Sequence, residues 1–155
     1  MNTVKHSKQS QHKEMSLATI TRPRSTKGRA VLCARIAKDK HAHELLLLDL
    51  SELDSSPAEF FVIATVDSEA QMRAVTEAIQ RTCRELRLGS PKVDGSNSSS
   101  WMVLDFFDVV VHVMRRDARM HYNLERLWGD AKVYGITESG AARALNGIPR
   151  RSANA

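Results

Sequence analysis

Residues 101–128, WMVLDFFDVVVHVMRRDARMHYNLERLW, decide the fold. They open with two short apolar runs rich in Val, Trp101 to Asp105 and Asp108 to Met114, a composition of strands rather than helix. Asp105-Phe106-Phe107-Asp108 lies between the centres of the runs, so the stretch reads as two strands around a short turn, followed by a helix. With Phe106 and Phe107 as a two-residue turn, Asp105 opposes Asp108, Val103 opposes Val110 and Trp101 opposes His112. Residues paired across antiparallel strands share a face. Met102, Leu104, Val109, Val111 and Val113 then form one apolar face, which is core, and Trp101, Asp105, Asp108 and His112 form the other. A sheet wet on one side shows polar residues outward, so the carboxylates and the imidazole also fit ordinary solvated positions. Trp101 tips the balance toward an interface, because an exposed indole joins a large apolar area to a single N–H, as binding anchors do.

Working outward, Leu45-Leu-Leu-Leu-Asp-Leu50 is a continuous apolar run that suits a central strand buried on both faces. Ser51 to Pro57 is turn-rich, and Glu59 to Val66 is the next strand. Before them, Val31, Leu32, Ile36 and Ala37 recur at helical spacing between Gly28 and His41. After them, Ser68 and Gln71 can form a capping box, with Asp67 adding charge at the helix start. Met72, Val75, Ile79, Cys83 and Leu86 continue the apolar stripe until Gly89 and Pro91 stop it. Lys92-Val93-Asp94 is a short strand, followed by a Gly-Ser-Asn-Ser loop.

Downstream of the ribbon, Asp117 is expected to cap a helix with Met120, Leu124, Leu127 and Trp128 turned inward and Gly129 at its end. That leaves Arg115, Arg119, Tyr122 and Arg126 available to a partner. Lys132 to Ala155 reads as a peripheral, partly ordered tail with helical potential through Ala141 to Leu145. The resulting fold class is α+β: one mixed five-stranded sheet with flanking helices, packed mainly on one face.

A chain of 155 residues is long enough for one domain with a core and short for two. Its net charge of +5 divides into +6 over residues 1–30, −4 over residues 31–130 and +3 over residues 131–155. The folded middle is therefore mildly acidic and the ends basic. Residues 1–27 are read as a disordered basic arm, either a tether for phosphate backbone or a solubilising extension. Residues 28–131 are the domain and 132–155 the tail. An Arg- and Ser-containing start also suits an organelle transit peptide, but its first half lacks an amphipathic stripe, which favours the cytoplasm. No run approaches the roughly 18 apolar residues of a membrane span. Cys33 and Cys83 form neither a metal clip nor a disulfide framework and read as buried thiols. His41-x-His43-Glu44 lacks further ligands nearby, so no metal and no cofactor are expected.

Trp101-Met-Val-Leu-Asp105, Asp108-Val-Val-Val-His112-Val and Tyr122-Asn-Leu-Glu-Arg-Leu-Trp-Gly-Asp-Ala131 closely resemble the signature of the Iojap or RsfS family, the ribosomal silencing factors. Leu48-Asp49 and Phe60-Phe-Val-Ile-Ala-Thr65, followed by Ser68, resemble its other half, so the likeness covers about residues 28 to 131. Two positions depart from the pattern: Phe107 and Val66 stand where the family usually has Gly. The resemblance implies a topology similar to nucleotidyltransferases without their catalytic residues. It also implies a translation repressor that binds the large ribosomal subunit through ribosomal protein L-fourteen and blocks subunit joining.

The residues agree in kind: an acidic folded surface with an exposed aromatic suits a basic protein, and basic arms suit nearby ribosomal RNA. Trp101, Asp105, Asp108, His112 and Tyr122 are the expected partner-binding residues, and the same face can pair two free copies of the chain. A nucleotidyltransferase-like enzyme is the first alternative, because Asp105 and Asp108 could hold Mg²⁺ if both face one way. It lacks a Gly-rich phosphate loop, an Asp-x-Asp pair and a third carboxylate. A free-standing RNA-binding module is the second, and the core shows no aromatic RNA platform for it.

Overall fold

A computed structural model describes residues 20–96 and 98–149. The helices are α1 (Thr26–Asp39), α2 (Glu69–Glu85), α3 (Arg116–Tyr122) and α4 (Leu124–Leu127). The strands are β1 (His43–Asp49), β2 (Phe60–Val66), β3 (Lys92–Asp94), β4 (Trp101–Asp105), β5 (Val109–Arg115), β6 (Lys132–Ile136) and β7 (Ala142–Leu145). They form a single mixed sheet in the order β3-β4-β5-β2-β1-β6-β7. β2 and β5 pair in parallel from Phe60↔Val109 to Val66↔Arg115, and the other pairs are antiparallel.

The sheet has seven strands rather than the expected five. The two additional strands come from the tail, where Ala-rich local propensity points to helix through residues 141–145. Pairing at the sheet edge overrides that propensity: β6 runs along β1 from Leu46↔Gly135 to Asp49↔Lys132, and β7 folds back through a tight turn to pair with β6.

The ribbon keeps its expected faces although its register moves. β4 and β5 pair as Asp105↔Val110, Val103↔His112 and Trp101↔Met114, so each β4 residue meets the β5 residue two places further along than a turn at Phe106-Phe107 gives. Because side chains alternate with period two, a shift of two residues leaves each strand residue on its face. The loop is Phe106 to Asp108, closed by Phe106 N donating to Val109 O at 2.9 Å. Asp108 lies in this loop, outside the alternation, and Asp105 and Asp108 therefore do not face each other. Asp108 accepts from Thr26 Oγ1 at 3.3 Å and pairs with Arg29, which ties the first turn of α1 to the ribbon.

Both faces of the central strands are covered. On one, Leu32, Ile36, Met72, Val75 and Ile79 of α1 and α2 meet Leu47, Val62, Val66, Leu104, Val111 and Val113. Val66, a glycine position in the resembled family, fills this core. Cys33 and Cys83 are buried there as free thiols, neighbours across the two helices. On the other face, Ala118 and Leu124 meet Leu46, Leu48, Phe61, Ile63, Val110 and Met114. The helix starts are set by side-chain caps. Ser68 Oγ accepts from Gln71 N at 3.0 Å, and Ser25 Oγ accepts from Gly28 N at 3.0 Å. α1 thus begins at Thr26, inside the segment expected as arm; residues 1–19 of that arm lie outside the described residues.

The helix expected after β5 is broken. Asn123 adopts the left-handed conformation (φ 43°, ψ 60°) between α3 and α4, and Asp117 lies within the first turn rather than capping it. The break shifts the phase of the apolar stripe, so Met120 and Leu127 are exposed while Leu124 stays buried. It also turns Arg119 inward. Arg119 is 2% exposed and Glu125 1%, their Nε and Oε1 are 2.6 Å apart, and Arg119 Nη1 donates to Thr65 Oγ1 at 2.8 Å and to the Glu44 carbonyl. Glu44 presents that carbonyl from a positive φ of 51°, where the β1 register shifts. Arg119 is therefore a buried clamp between α3, α4, β1 and β2 rather than a residue offered to a partner.

Removing one member of a buried ion pair leaves the other charged and desolvated, so Arg119→Met is expected to cost about 3–5 kcal/mol in urea unfolding. Adding Glu125→Leu should recover much of that loss. Phe107 is 89% exposed at φ 78°, a conformation that costs an L-residue roughly 1–2 kcal/mol and glycine almost nothing. Phe107→Gly is expected to raise stability by up to about 1 kcal/mol at an unchanged m-value, the gain being trimmed by glycine's greater unfolded-state entropy.

Candidate binding site

On the face of the sheet opposite α1 and α2, six rings follow one another: His121, Tyr122, Trp101, His112, Phe61 and Trp128. Their centroid separations along this run are 4.9, 4.8, 5.7, 4.6 and 5.9 Å. β4 and β5 bring Trp101 and His112 together diagonally, β2 supplies Phe61 beneath, and α3 delivers Tyr122 over the indole just before Asn123 turns the chain. Tyr122 is 53% exposed, Trp101 is half-buried and His112 is buried. Met120 and Leu127 of the same two short helices are also exposed.

The expected site residues thus divide. Trp101, His112 and Tyr122 are gathered, and exposed Asp105 lies on the same face, where its charge acts on His112. Asp108 is drawn to the α1 side by Arg29. His112 is covered rather than outward-facing, because Trp101 and Phe61 flank it. Phe61, His121, Met120 and Leu127 were not among the expected residues. Phe61 sits in a strand buried on both faces, where no alternation marks it, and the others are repositioned by the break at Asn123.

His112 and Trp101 are joined by a hydrogen bond, Trp101 Nε1 donating to His112 Nδ1 at 3.1 Å. An acceptor at Nδ1 places the proton of the neutral ring on Nε2, which is buried with no hydrogen-bond partner among the described residues. Burial pushes the His112 pKa down to about 4, and the nearby Asp105 carboxylate only partly opposes it. The ring is neutral near pH 7 and serves to hold the indole. Among the described residues, no group of three or more His, Cys, Asp and Glu is placed to hold a metal. His43 Nε2 lies 3.0 Å from Asp67 Oδ1. None of the described helices is long and apolar enough to cross a membrane.

A family model described as ribosomal silencing factor during starvation matches residues 23–154. The ribosomal silencing factor RsfS of Bacillus subtilis is 37% identical over 100 residues, 64% of this chain and 84% of that protein. The chloroplastic protein Iojap of Arabidopsis thaliana is 34% identical over 102 residues, 66% of this chain but 42% of the longer plant protein. A crystal structure of a Chromobacterium violaceum protein superposes with a TM-score of 0.63 at 30% identity, covering 67% of this chain and 86% of that one.

The depressed His112 pKa has a definite sign. The unfolded ring takes up a proton near pH 6.5 and the folded one only near 4, so the stability of the neutral site is complete above about 6.5 and lost as pH falls toward 4. His112→Asn keeps an acceptor near Nδ1 but does not titrate. Wild type is expected to lose about 2–3 kcal/mol more than this variant between about pH 7 and 4.5 in urea unfolding. Equal losses would show that His112 is protonated in the folded chain.

Proposed function

The chain belongs to the RsfS family of ribosomal silencing factors, and from this we propose that it represses translation during starvation by binding ribosomal protein L-fourteen on the large subunit and blocking subunit joining. The observation that carries this reading is the partly exposed aromatic run with Asp105 beside it. A ring cluster of this kind supplies a large contact area at low conformational cost, and an acidic margin suits a basic ribosomal protein. The proposed contacts are Trp101, Tyr122 and Asp105, with His112 holding Trp101; Asp108 stands apart from them and is better placed to brace α1.

In this reading the chain works by occupying a surface and performs no reaction. The separation of Asp105 from Asp108 supports that, because a two-carboxylate Mg²⁺ site needs both on one side. The sheet is read as nucleotidyltransferase-like in topology only. Ribosomal RNA contacts through the basic arm, pairing of two free copies through the aromatic face, and a cytoplasmic location complete the proposal.

Sedimentation with separated subunits tests it directly, with co-migration expected for the large subunit alone. Trp101→Ala is expected to weaken that binding by about 2 kcal/mol, or about 30-fold, with an unchanged circular dichroism spectrum. Because Trp101 is half-buried, Tyr122→Ala provides a second variant on an exposed ring and should also weaken pelleting. Normal pelleting of both variants would overturn the assignment of this face.

A further inference from the structure

We propose that the C-terminal end of α2, together with the segment crossing it, forms a second binding surface that takes the phosphate backbone of RNA. Ile20 packs against the helical core cluster and sits between α1 and α2 beside Ala78, Arg81 and Thr82. From there the chain passes the end of α2, where Arg22 Nη2 donates to the Arg87 carbonyl at 3.3 Å, and then turns into α1 at its Ser25 cap. This path brings Arg22 to the helix end that carries Arg81, Arg84 and Arg87, with Arg24 two residues further along the chain. All five arginines are exposed.

Their charge is uncompensated among the described residues. The ion pairs of those residues lie elsewhere, and among them none of the five guanidinium groups has a carboxylate within ion-pair distance. Glu77 and Glu85 share the exposed side of α2 without closing on them. The negative end of the helix dipole amounts to roughly half a charge and accounts for one arginine at most. Gathering five like charges is offset by an anion that presents several charges in series. Arginine rather than lysine occupies every position of the ridge, and its planar fork matches phosphate oxygens in pairs.

The ridge lies on the α1–α2 side of the sheet and the aromatic run on the other, so one contact leaves the other accessible. In sequence the ridge continues into residues 1–19, which add Lys5, Lys8 and Lys13 against Glu14. The choice of RNA among polyanions rests on the ribosomal reading. No aromatic side chain belongs to the ridge, so the binding follows the backbone and is indifferent to sequence.

The test is fluorescence anisotropy of the full chain with a fluorescein-labelled RNA hairpin across a salt series. In Arg81→Gln/Arg84→Gln/Arg87→Gln the affinity should fall at least about tenfold and the log–log salt slope by about two to three, one phosphate contact per arginine removed. A control triple variant at exposed cations elsewhere, Lys92→Gln/Arg126→Gln/Arg143→Gln, should change affinity less than about twofold. Equal loss in both triple variants, or an unchanged slope in the first, overturns the ridge. So does tighter ridge-dependent binding of labelled polyglutamate than of RNA. Trp101→Ala should bind the hairpin as wild type does. A wild-type chain that binds RNA through the ridge but fails to sediment with the large subunit refutes the ribosomal reading alone; sedimentation without ridge-dependent RNA binding refutes the ridge alone.

Discussion

Parallel pairing of β2 with β5 is the constraint on which the rest of the molecule depends. Parallel neighbours cannot be joined by a tight turn, so the chain must leave and return, and here it does so through α2, β3 and β4. Both strands carry apolar residues on both faces and must be covered twice. The two long helices cover one face. Only two short helical turns, separated by Asn123, are left for the other, and they protect its centre while β3 and β4 remain largely open. The aromatic run lies at that boundary, where Trp101 and Tyr122 are half in the core and half out. The candidate site is thus a consequence of unequal cover.

Two buried polar arrangements make this thin cover rigid. Arg119 gathers Glu125, Thr65 and the Glu44 carbonyl, so α3 and α4 are pinned to β1 and β2 where few apolar contacts are available. His112 gives Trp101 a fixed acceptor and, being neutral, places no charge beneath a surface offered to a partner. A ring already held in its contact geometry loses little freedom on binding, which favours affinity without enlarging the interface. Stability and the proposed recognition draw on the same side chains.

Face assignments were readable from sequence because they rest on parity. A shift of two residues along β5 changes its register with β4 without exchanging core for surface, so Met102, Leu104, Val111 and Val113 stay inside, as expected. α1 and α2 were equally plain, being long, periodic and, at Ser68, visibly capped. Asp108 was misplaced because a loop residue has no parity. Met120, Leu127 and Arg119 were misplaced because one left-handed residue resets the helical phase, although the Tyr122-Asn123-Leu124 step carried the signal of a helix end. β6 and β7 were missed because strands that complete a sheet owe their conformation to the partner edge more than to their own residues.

Aromatic and basic surfaces on opposite sides of one thin domain also divide the physical work of association. Arginines and the basic arm act at long range and are screened by salt, so in the proposed complex they govern how often a useful encounter occurs. Buried rings act only at contact, are insensitive to salt, and govern how long the complex lasts. Charge alone would leave the orientation on an RNA-rich particle undefined, since phosphates are everywhere on it. The proposed steric block to subunit joining requires a defined pose. In the proposed complex that pose comes from the rings and the carboxylate beside them, so the proposal rests specificity on the held geometry of Trp101 rather than on total charge.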